Sequence, residues 1–173
     1  MRLIRAQIAS SALRANLRAI RARAPRSRVM AVVKANAYGH GLVSTALALA
    51  EANAFAVARI DEAIALRAAG LSQPIVLLEG VFNAEQLSEA AHLQLELVVH
   101  SPSQLALLSQ YHGSYRFSLW LKVDTGMNRL GFRPAEFAAA WEQLRNLQPQ
   151  PLALRVMTHL ACADEPDGVA TTD

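Results

Sequence analysis

Short runs of apolar, often β-branched residues alternate along this chain with longer segments whose apolar positions recur at helical spacing. Continuous apolar runs of roughly four to eight residues favour strands that are buried on both faces. A lone leading strand is predicted at 3–8. Six further strands are predicted at 29–33, 55–59, 74–78, 95–99, 117–123 and 152–159.

The segments between these runs carry helix signals. Ser10 or Ser11 is expected to cap a first helix whose Leu13, Leu17 and Ile20 lie on one face. The other predicted helices are 41–52; 61–69, ended by Gly70; 83–92, capped by Asn83; one capped by Ser101 with Pro102 at its first position; and one from Pro134 to about 147.

This alternation predicts a parallel sheet, because adjacent parallel strands need a helical crossover between them. Two α/β architectures satisfy the pattern: an open doubly wound sheet, and part of a (β/α)8 barrel. No G-x-G-x-x-G or P-loop motif follows a predicted strand, which counts against the nucleotide-binding form of the open sheet. A full barrel has about eight strands and ~250 residues, so six strands in 173 residues indicate an incomplete barrel.

Composition and charge bear on whether the chain binds nucleic acid. The chain is 53% hydrophobic and 18% charged, its net charge is +3, and its early arginines precede the first acidic residue, Glu51. Proteins that bind nucleic acid often carry such a basic face, but here no aromatic stacking pattern or nucleic-acid motif accompanies the arginines. We therefore expect a solvated helix face and no nucleic-acid partner.

The arginine-rich start, the apolar runs and the cysteine content bear on the cellular compartment of the protein. The arginine-rich start resembles an organellar transit peptide, yet Arg28 leads directly into a predicted core strand and leaves little to remove. No apolar stretch approaches the ~20 residues of a membrane span, and no secretory signal is visible. Cys162 is the only cysteine, which suits a reducing compartment. A cytoplasmic protein without a membrane partner is expected.

Polar side chains follow the predicted strands at their carboxyl ends, where parallel α/β sheets bind ligands. Both lysines of the chain, Lys34 and Lys122, lie in this layer. A buried lysine can lose its proton and attack a carbonyl group, which arginine cannot do. The alternative is a lysine that extends from a strand end into solvent. The other members of the layer are Arg59, Glu79, His100, Asp124 and His159.

Three segments carry a family resemblance. In chain order, VVKANAYGHG at 32–41, LKVDTGMNRLGF at 121–132 and VMTHLACADEPDG at 156–168 resemble the first-, fifth- and sixth-strand segments of alanine racemases, which are fold-type III pyridoxal-phosphate enzymes. The resemblance implies that residues 1–173 are an incomplete pyridoxal-phosphate-binding domain. Its fold would be a partial (β/α)8 TIM-type barrel with about six of the eight βα units, and the C-terminal β domain would be absent.

The resemblance also implies roles for individual residues. Lys34 would hold pyridoxal 5'-phosphate as a Schiff base and act as the base on one face of the substrate α-carbon. Tyr38 would reach the cofactor phosphate, and His159 would lie against the pyridine ring. Arg129 would hydrogen-bond the pyridoxal 3-oxygen and help to hold the substrate carboxylate. The lysine that matches Lys122 is carbamylated in several family members, and its anion orients the arginine that matches Arg129.

Residue chemistry alone leaves alternatives open. Lys122 could form a plain surface pair with Asp124, and Arg129 could be a helix-entry arginine. His40 lies between two glycines, but no carboxylate or cysteine cluster has the spacing of a ligand set, so no metal site is expected.

The implied activity is the interconversion of L-alanine and D-alanine by a homodimer, for peptidoglycan synthesis or alanine catabolism. In the family the second base is a tyrosine of the C-terminal domain, contributed across the dimer interface, and Tyr111 and Tyr115 do not match it. We therefore expect little or no racemase activity from these 173 residues alone. The alternatives are a barrel that binds the cofactor without turnover, a broad-specificity amino-acid racemase, and a non-catalytic structural fragment.

Overall fold

The computed structural model describes residues 6–165, which fall into two compact units that divide between Ile75 and Val76. Each unit consists of parallel strands and the helices that connect them along the chain. The predicted α/β class is confirmed.

The described part of the first unit contains one pair of parallel strands. In that pair Met30 lies beside Ala54 and Val32 beside Ala56. The N–H of Phe55 donates to the carbonyl of Pro74 at 2.9 Å, where the following strand begins. The elements of the unit are α1 (Ser10–Arg23), β1 (Met30–Val32), α2 (Lys34–Tyr38), α3 (Leu42–Ala48), β2 (Ala54–Val57) and α4 (Ile60–Ala68).

The second unit continues the same rhythm, and its strands pair in chain order, all parallel. Leu97 lies beside Leu119, and Leu119 lies beside Leu154. Its elements, starting with the strand that crosses the unit boundary, are β3 (Ile75–Leu77), α5 (Ala84–His92), β4 (Glu96–Val99), α6 (Pro102–Ser109), β5 (Ser118–Lys122), a 3-10 turn (Pro134–Glu136), α7 (Phe137–Arg145) and β6 (Ala153–Met157).

Apolar strand residues form the core. Phe55 in β2 and Ile75 in β3 are fully buried, as are Leu119 and Leu121 in β5. Because side chains alternate between the faces of a strand, Lys122 points away from the face that Leu121 occupies. Burial of the apolar face therefore fixes the direction of a polar side chain at the strand end.

All six predicted strands are confirmed, each shorter than its apolar run by one or more residues. Asn83 caps α5 as predicted: its side-chain oxygen accepts the N–H of Gln86 at 2.8 Å. Ser101 occupies the N-cap of α6 with Pro102 following, but its hydroxyl contacts Ser103 at 3.0 Å and makes no capping bond to the helix.

Other details of the prediction are wrong. The N-cap of α1 is Ala9, and Ser10 is already helical because the carbonyl of Ala9 accepts the first helical hydrogen bonds. Residues 6–8 form no strand, and the rest of the predicted leading strand lies outside the described residues. The helix expected at 41–52 ends at Ala48. Only Leu17 of the expected apolar stripe is buried, and Ile20 is 52% exposed.

Candidate functional site

In the first unit, the candidate functional residues follow β1. Lys34 is half-buried and opens α2, which is a left-handed helical turn. Four consecutive non-glycine residues in it have positive φ angles: Ala35 (53°), Asn36 (54°), Ala37 (53°) and Tyr38 (55°). L-residues pay about 1–2 kcal/mol each for this conformation, so other contacts must hold the turn. Strain of this kind collects at functional sites.

Hydrogen bonds around Asn36 hold the turn. Its side-chain oxygen accepts the N–H of Leu42 at 2.8 Å, and its carbonyl accepts the N–H groups of Gly39 at 3.1 Å and Gly41 at 3.0 Å. Its own N–H donates to Oε1 of Glu62 at 3.3 Å. The turn is therefore fixed both to the start of α3 and to α4.

Tyr38 and His40, near the end of the turn, differ in the surroundings of their side chains. Tyr38 is 60% exposed. The Nδ1 of His40 lies 2.8 Å from the carbonyl of Ala37 and so belongs to the turn. Residues 6–165 contain no group of His, Cys, Asp and Glu that could hold a metal ion.

In the second unit, the candidate functional residues lie at the end of β5 and beyond it. Lys122 is only 8% exposed. Burial lowers the pKa of the Lys122 amine, the nearby Arg129 guanidinium lowers it further, and the Asp124 carboxylate partly opposes the shift. A plain surface pair with Asp124 is therefore the wrong description of Lys122.

A tight loop follows β5 and carries Arg129 on its exposed side. The Asp124 carboxylate accepts the N–H groups of Gly126 at 3.1 Å and Asn128 at 3.0 Å. These backbone donors, with Asn128 the strongest, hold the pKa of Asp124 below its ordinary value. The loop closes where the N–H of Phe132 donates to the Lys122 carbonyl at 2.9 Å. Arg129 therefore sits on a loop that returns to the lysine beneath it, which does not match a simple helix-entry arginine.

The end of β6 joins the same loop. The hydroxyls of Thr125 and Thr158 lie 2.6 Å apart, and the Thr158 hydroxyl also donates to the carbonyl of Val123 at 3.0 Å. His159 comes next in the chain and is exposed. Within the second unit the structure thus brings together the segments that carry Lys122, Arg129 and His159.

Two further residues of the predicted strand-end layer have structural partners. The carbonyl of Glu79 faces Nε2 of His100 at 3.0 Å and accepts from the Gln104 amide at 2.8 Å. The Gln104 oxygen accepts the N–H of His100 at 2.9 Å. Gln104 is buried, and its amide holds the ends of β3 and β4 together.

Sequence reasoning missed a polar cluster on β4, β5 and β6. The indole N–H of Trp120 donates to the Glu96 carboxylate at 2.7 Å, and Arg155 lies 3.4 Å from the same carboxylate. The Arg155 guanidinium also stands 5.0 Å from the Trp120 ring centre. Trp120 and Lys122 are two residues apart and so share a face of β5. The cluster is therefore the neighbour of Lys122 on that face. The charged residues inside two of the apolar runs, Glu96 and Arg155, were the only local signal, and it did not show that they meet.

Each unit carries groups whose chemistry suits a phosphorylated aromatic aldehyde. The first unit offers a half-buried amine and an exposed phenol, and the second offers a guanidinium, an imidazole and a buried amine. An amine can attach an aldehyde, a guanidinium can pair with a phenolate or carboxylate oxygen, and a phenol can donate to a phosphate.

Comparison with known proteins shows which family the chain resembles in sequence and in structure. Residues 8–173 match the family model described as alanine racemase, N-terminal domain. The alanine racemase of Shewanella baltica (strain OS195) is 49% identical over 168 residues, which cover 97% of this chain and 47% of the relative. The biosynthetic alanine racemase of Pseudomonas aeruginosa superposes with a TM-score of 0.89 at 40% identity, covering 94% of this chain and 45% of that one.

A histidine racemase from Leuconostoc mesenteroides also matches, with a TM-score of 0.78 and 32% identity over 94% of this chain and 45% of that one. The chain spans about half the length of the relatives that it matches. The likeness to these solved structures, together with six parallel strands, confirms the predicted partial barrel of about six βα units.

Proposed function

Since this chain belongs to the alanine racemase family through the N-terminal domain of that family, we propose that it serves the pyridoxal-phosphate-dependent interconversion of L-alanine and D-alanine. The observation that carries the proposal is Lys34. It is one of only two lysines, it is half-buried, and it stands at the carboxyl end of β1 on a strained turn.

The bound cofactor would supply an electron sink that makes the α-proton of an amino acid removable. Lys34 would hold the cofactor through its amine and move the proton on one face of the α-carbon. Tyr38 would bind the phosphate, and His159 would pack on the ring. Arg129 would hydrogen-bond the 3-oxygen of the ring and orient the substrate carboxylate.

Lys122 would act through Arg129. The lowered pKa of Lys122 favours the neutral amine more than in a free lysine. That neutral amine would add carbon dioxide and release a proton, which leaves a carbamate anion. That anion would orient the Arg129 guanidinium. Isotopically labelled bicarbonate should give a carbamate resonance that Lys122→Met lacks.

The proposal is tested by trapping. The 173-residue chain is incubated with pyridoxal 5'-phosphate, reduced with borohydride and mapped by mass spectrometry. We expect the label on Lys34, and none at that position in Lys34→Ala. Labelling of Lys122 in place of Lys34, or no labelling at all, would overturn the proposal.

Turnover is a separate matter. The matched region covers about half of each relative, and racemisation needs a base on each face of the α-carbon. We propose that these 173 residues alone bind the cofactor but form little or no D-alanine. D-alanine formation above a Lys34→Ala control would contradict this. A cytoplasmic homodimer and a supply of D-alanine for peptidoglycan, or alanine catabolism, belong to the same proposal.

A second candidate is a racemase of wider substrate range, and the matched histidine racemase favours it. Exchange of the α-proton in deuterium oxide, compared between alanine and histidine under the same conditions, distinguishes the two. Cofactor attachment at Lys34 without exchange in either amino acid would instead favour a barrel that only binds the cofactor.

A further inference from the structure

Glu62 stands out among the residues that neither the motifs nor the proposed function uses. It lies in the first turn of α4 and is half-buried. Its Oε2 accepts the N–H groups of Ala58 at 3.0 Å and Arg59 at 3.2 Å, and its Oε1 accepts the N–H of Asn36 at 3.3 Å. One carboxylate thus joins the end of β2 and the start of α4 to the left-handed turn.

The hydrogen bond from Asn36 to Glu62 is not part of ordinary helix capping. Two of the three donors belong to the chain entering α4 and are typical of a carboxylate near a helix N-terminus. The third belongs to a residue with a φ of 54°, two positions after Lys34 and two before Tyr38. The contact therefore stabilises a backbone conformation that the residues of the turn do not favour by themselves.

We propose that Glu62 is a positioning residue that acts through the left-handed turn. Its carboxylate fixes the backbone between Lys34 and Tyr38 and so sets where the amine and the phenol are presented. This inference rests on the proposed function for the identity of the ligand, a phosphorylated aldehyde. It assigns to Glu62 no contact with that ligand.

Glu62→Gln is the informative substitution. Glutamine keeps the shape but has one acceptor oxygen, and its other terminal atom is an N–H donor. The oxygen is expected to stay with the Ala58 and Arg59 donors, because two bonds outweigh one. The new amide would then face the N–H of Asn36, donor against donor, and the turn would lose its contact while α4 keeps its cap.

Hydrogen exchange and trapping are measured on the 173-residue chain. In Glu62→Gln, exchange of the amides in 35–41 should rise about tenfold, while the amides of α4 should change little. Pyridoxal-phosphate trapping at Lys34 should slow by a similar factor. Asp61→Asn removes the same charge from the neighbouring position, where the carboxylate pairs with the exposed Arg59, and should leave both readouts as in the wild type.

Ala35→Gly supplies a rescue. Ala35 is exposed with a φ of 53°, and glycine adopts that conformation without strain. Added to Glu62→Gln, it should restore trapping to at least about half of the wild-type rate, since it relieves the turn and leaves α4 unchanged. A defect in helix capping would not respond to it.

The outcomes separate two failures. No labelling of Lys34 in the wild type would sink the proposed function, and the exchange data would still test Glu62. The inference is overturned if Glu62→Gln leaves exchange at 35–41 unchanged, or raises exchange in α4 as much as in the turn. If Glu62→Gln does not fold, recovery of the fold by Ala35→Gly supports the inference, and persistent unfolding counts against it.

Discussion

Lys122 combines a buried position with a lowered pKa, and this makes its effect on stability depend on pH. The pKa falls below the ordinary 10.5 chiefly through burial. Between the lowered value and 10.5 the unfolded chain binds more protons than the folded chain. Stability therefore rises with pH across that window.

Lys122→Met tests this dependence. Methionine fills a similar volume without a charge, so at pH 7 the variant should unfold at a higher temperature than the wild type. The difference should shrink as the pH approaches 10.5. Thermal unfolding followed by circular dichroism across this range, without bicarbonate, measures it. A difference that stays constant with pH would contradict the assignment.

At the scale of elements, the loop after β5 depends on a glycine. Gly131 has a φ of 126°, and a β-carbon there would lie 2.8 Å from the Asp124 nitrogen and 3.1 Å from the Lys122 oxygen. Both are backbone atoms in the hydrogen-bonded part of the loop, so neither can rotate away. The glycine allows the loop that carries Arg129 to close against the strand.

Gly131→Ala is expected to destabilise the protein by about 2–4 kcal/mol, from strain and close contact together. Gly39→Ala is the matched control. Gly39 has a φ of 86°, but a β-carbon there meets nothing within 4 Å, so only the backbone strain of about 1 kcal/mol remains. Urea unfolding of the two variants compares them, and equal losses would show that the close contact does not matter.

The elements also show which parts of the fold are readable from sequence. The strands were predictable because their apolar runs are continuous and are bounded by residues such as Pro74, which directly precedes β3. The left-handed turn was not. Asparagine tolerates positive φ, but alanine favours right-handed helices, and nothing local in KANAY signals four such residues in a row. One of the bonds that hold the turn comes from Glu62, 26 residues beyond Asn36, and so lies outside the local sequence.

Some residues of the candidate site could also be predicted from the sequence, and others could not. Lys34 and Lys122 could be found because lysine is rare in this chain and both lie at the carboxyl ends of apolar runs. The cluster of Glu96, Trp120 and Arg155 could not be assembled, since its members come from three strands whose register the sequence does not state.

At the scale of the whole molecule, apolar surface at β6 is exposed. Val156 lies beside Leu121, which is fully buried, yet Val156 itself is 50% exposed and Leu152 is 64% exposed. In the described residues β6 pairs only with β5, and no helix follows it. A strand edge with uncovered apolar side chains favours association.

We therefore expect the purified chain to self-associate, with a sedimentation coefficient that rises with protein concentration. Val156→Glu should weaken the association, because it places a charge on the exposed strand. Gln143→Glu adds the same charge to an exposed position on α7 and serves as the control. A wild-type chain that stays monomeric at every concentration would contradict the prediction.

The handedness of the turn after β1 has a consequence for chemical synthesis. A backbone with φ near 53° at Ala35 is the mirror image of the one that L-alanine prefers, and so it is the conformation that D-alanine adopts most readily. A semisynthetic chain with D-alanine at position 35 should keep its fold while its L-counterpart carries the strain. One position in the backbone of this alanine racemase family member would then be better suited to D-alanine than to L-alanine.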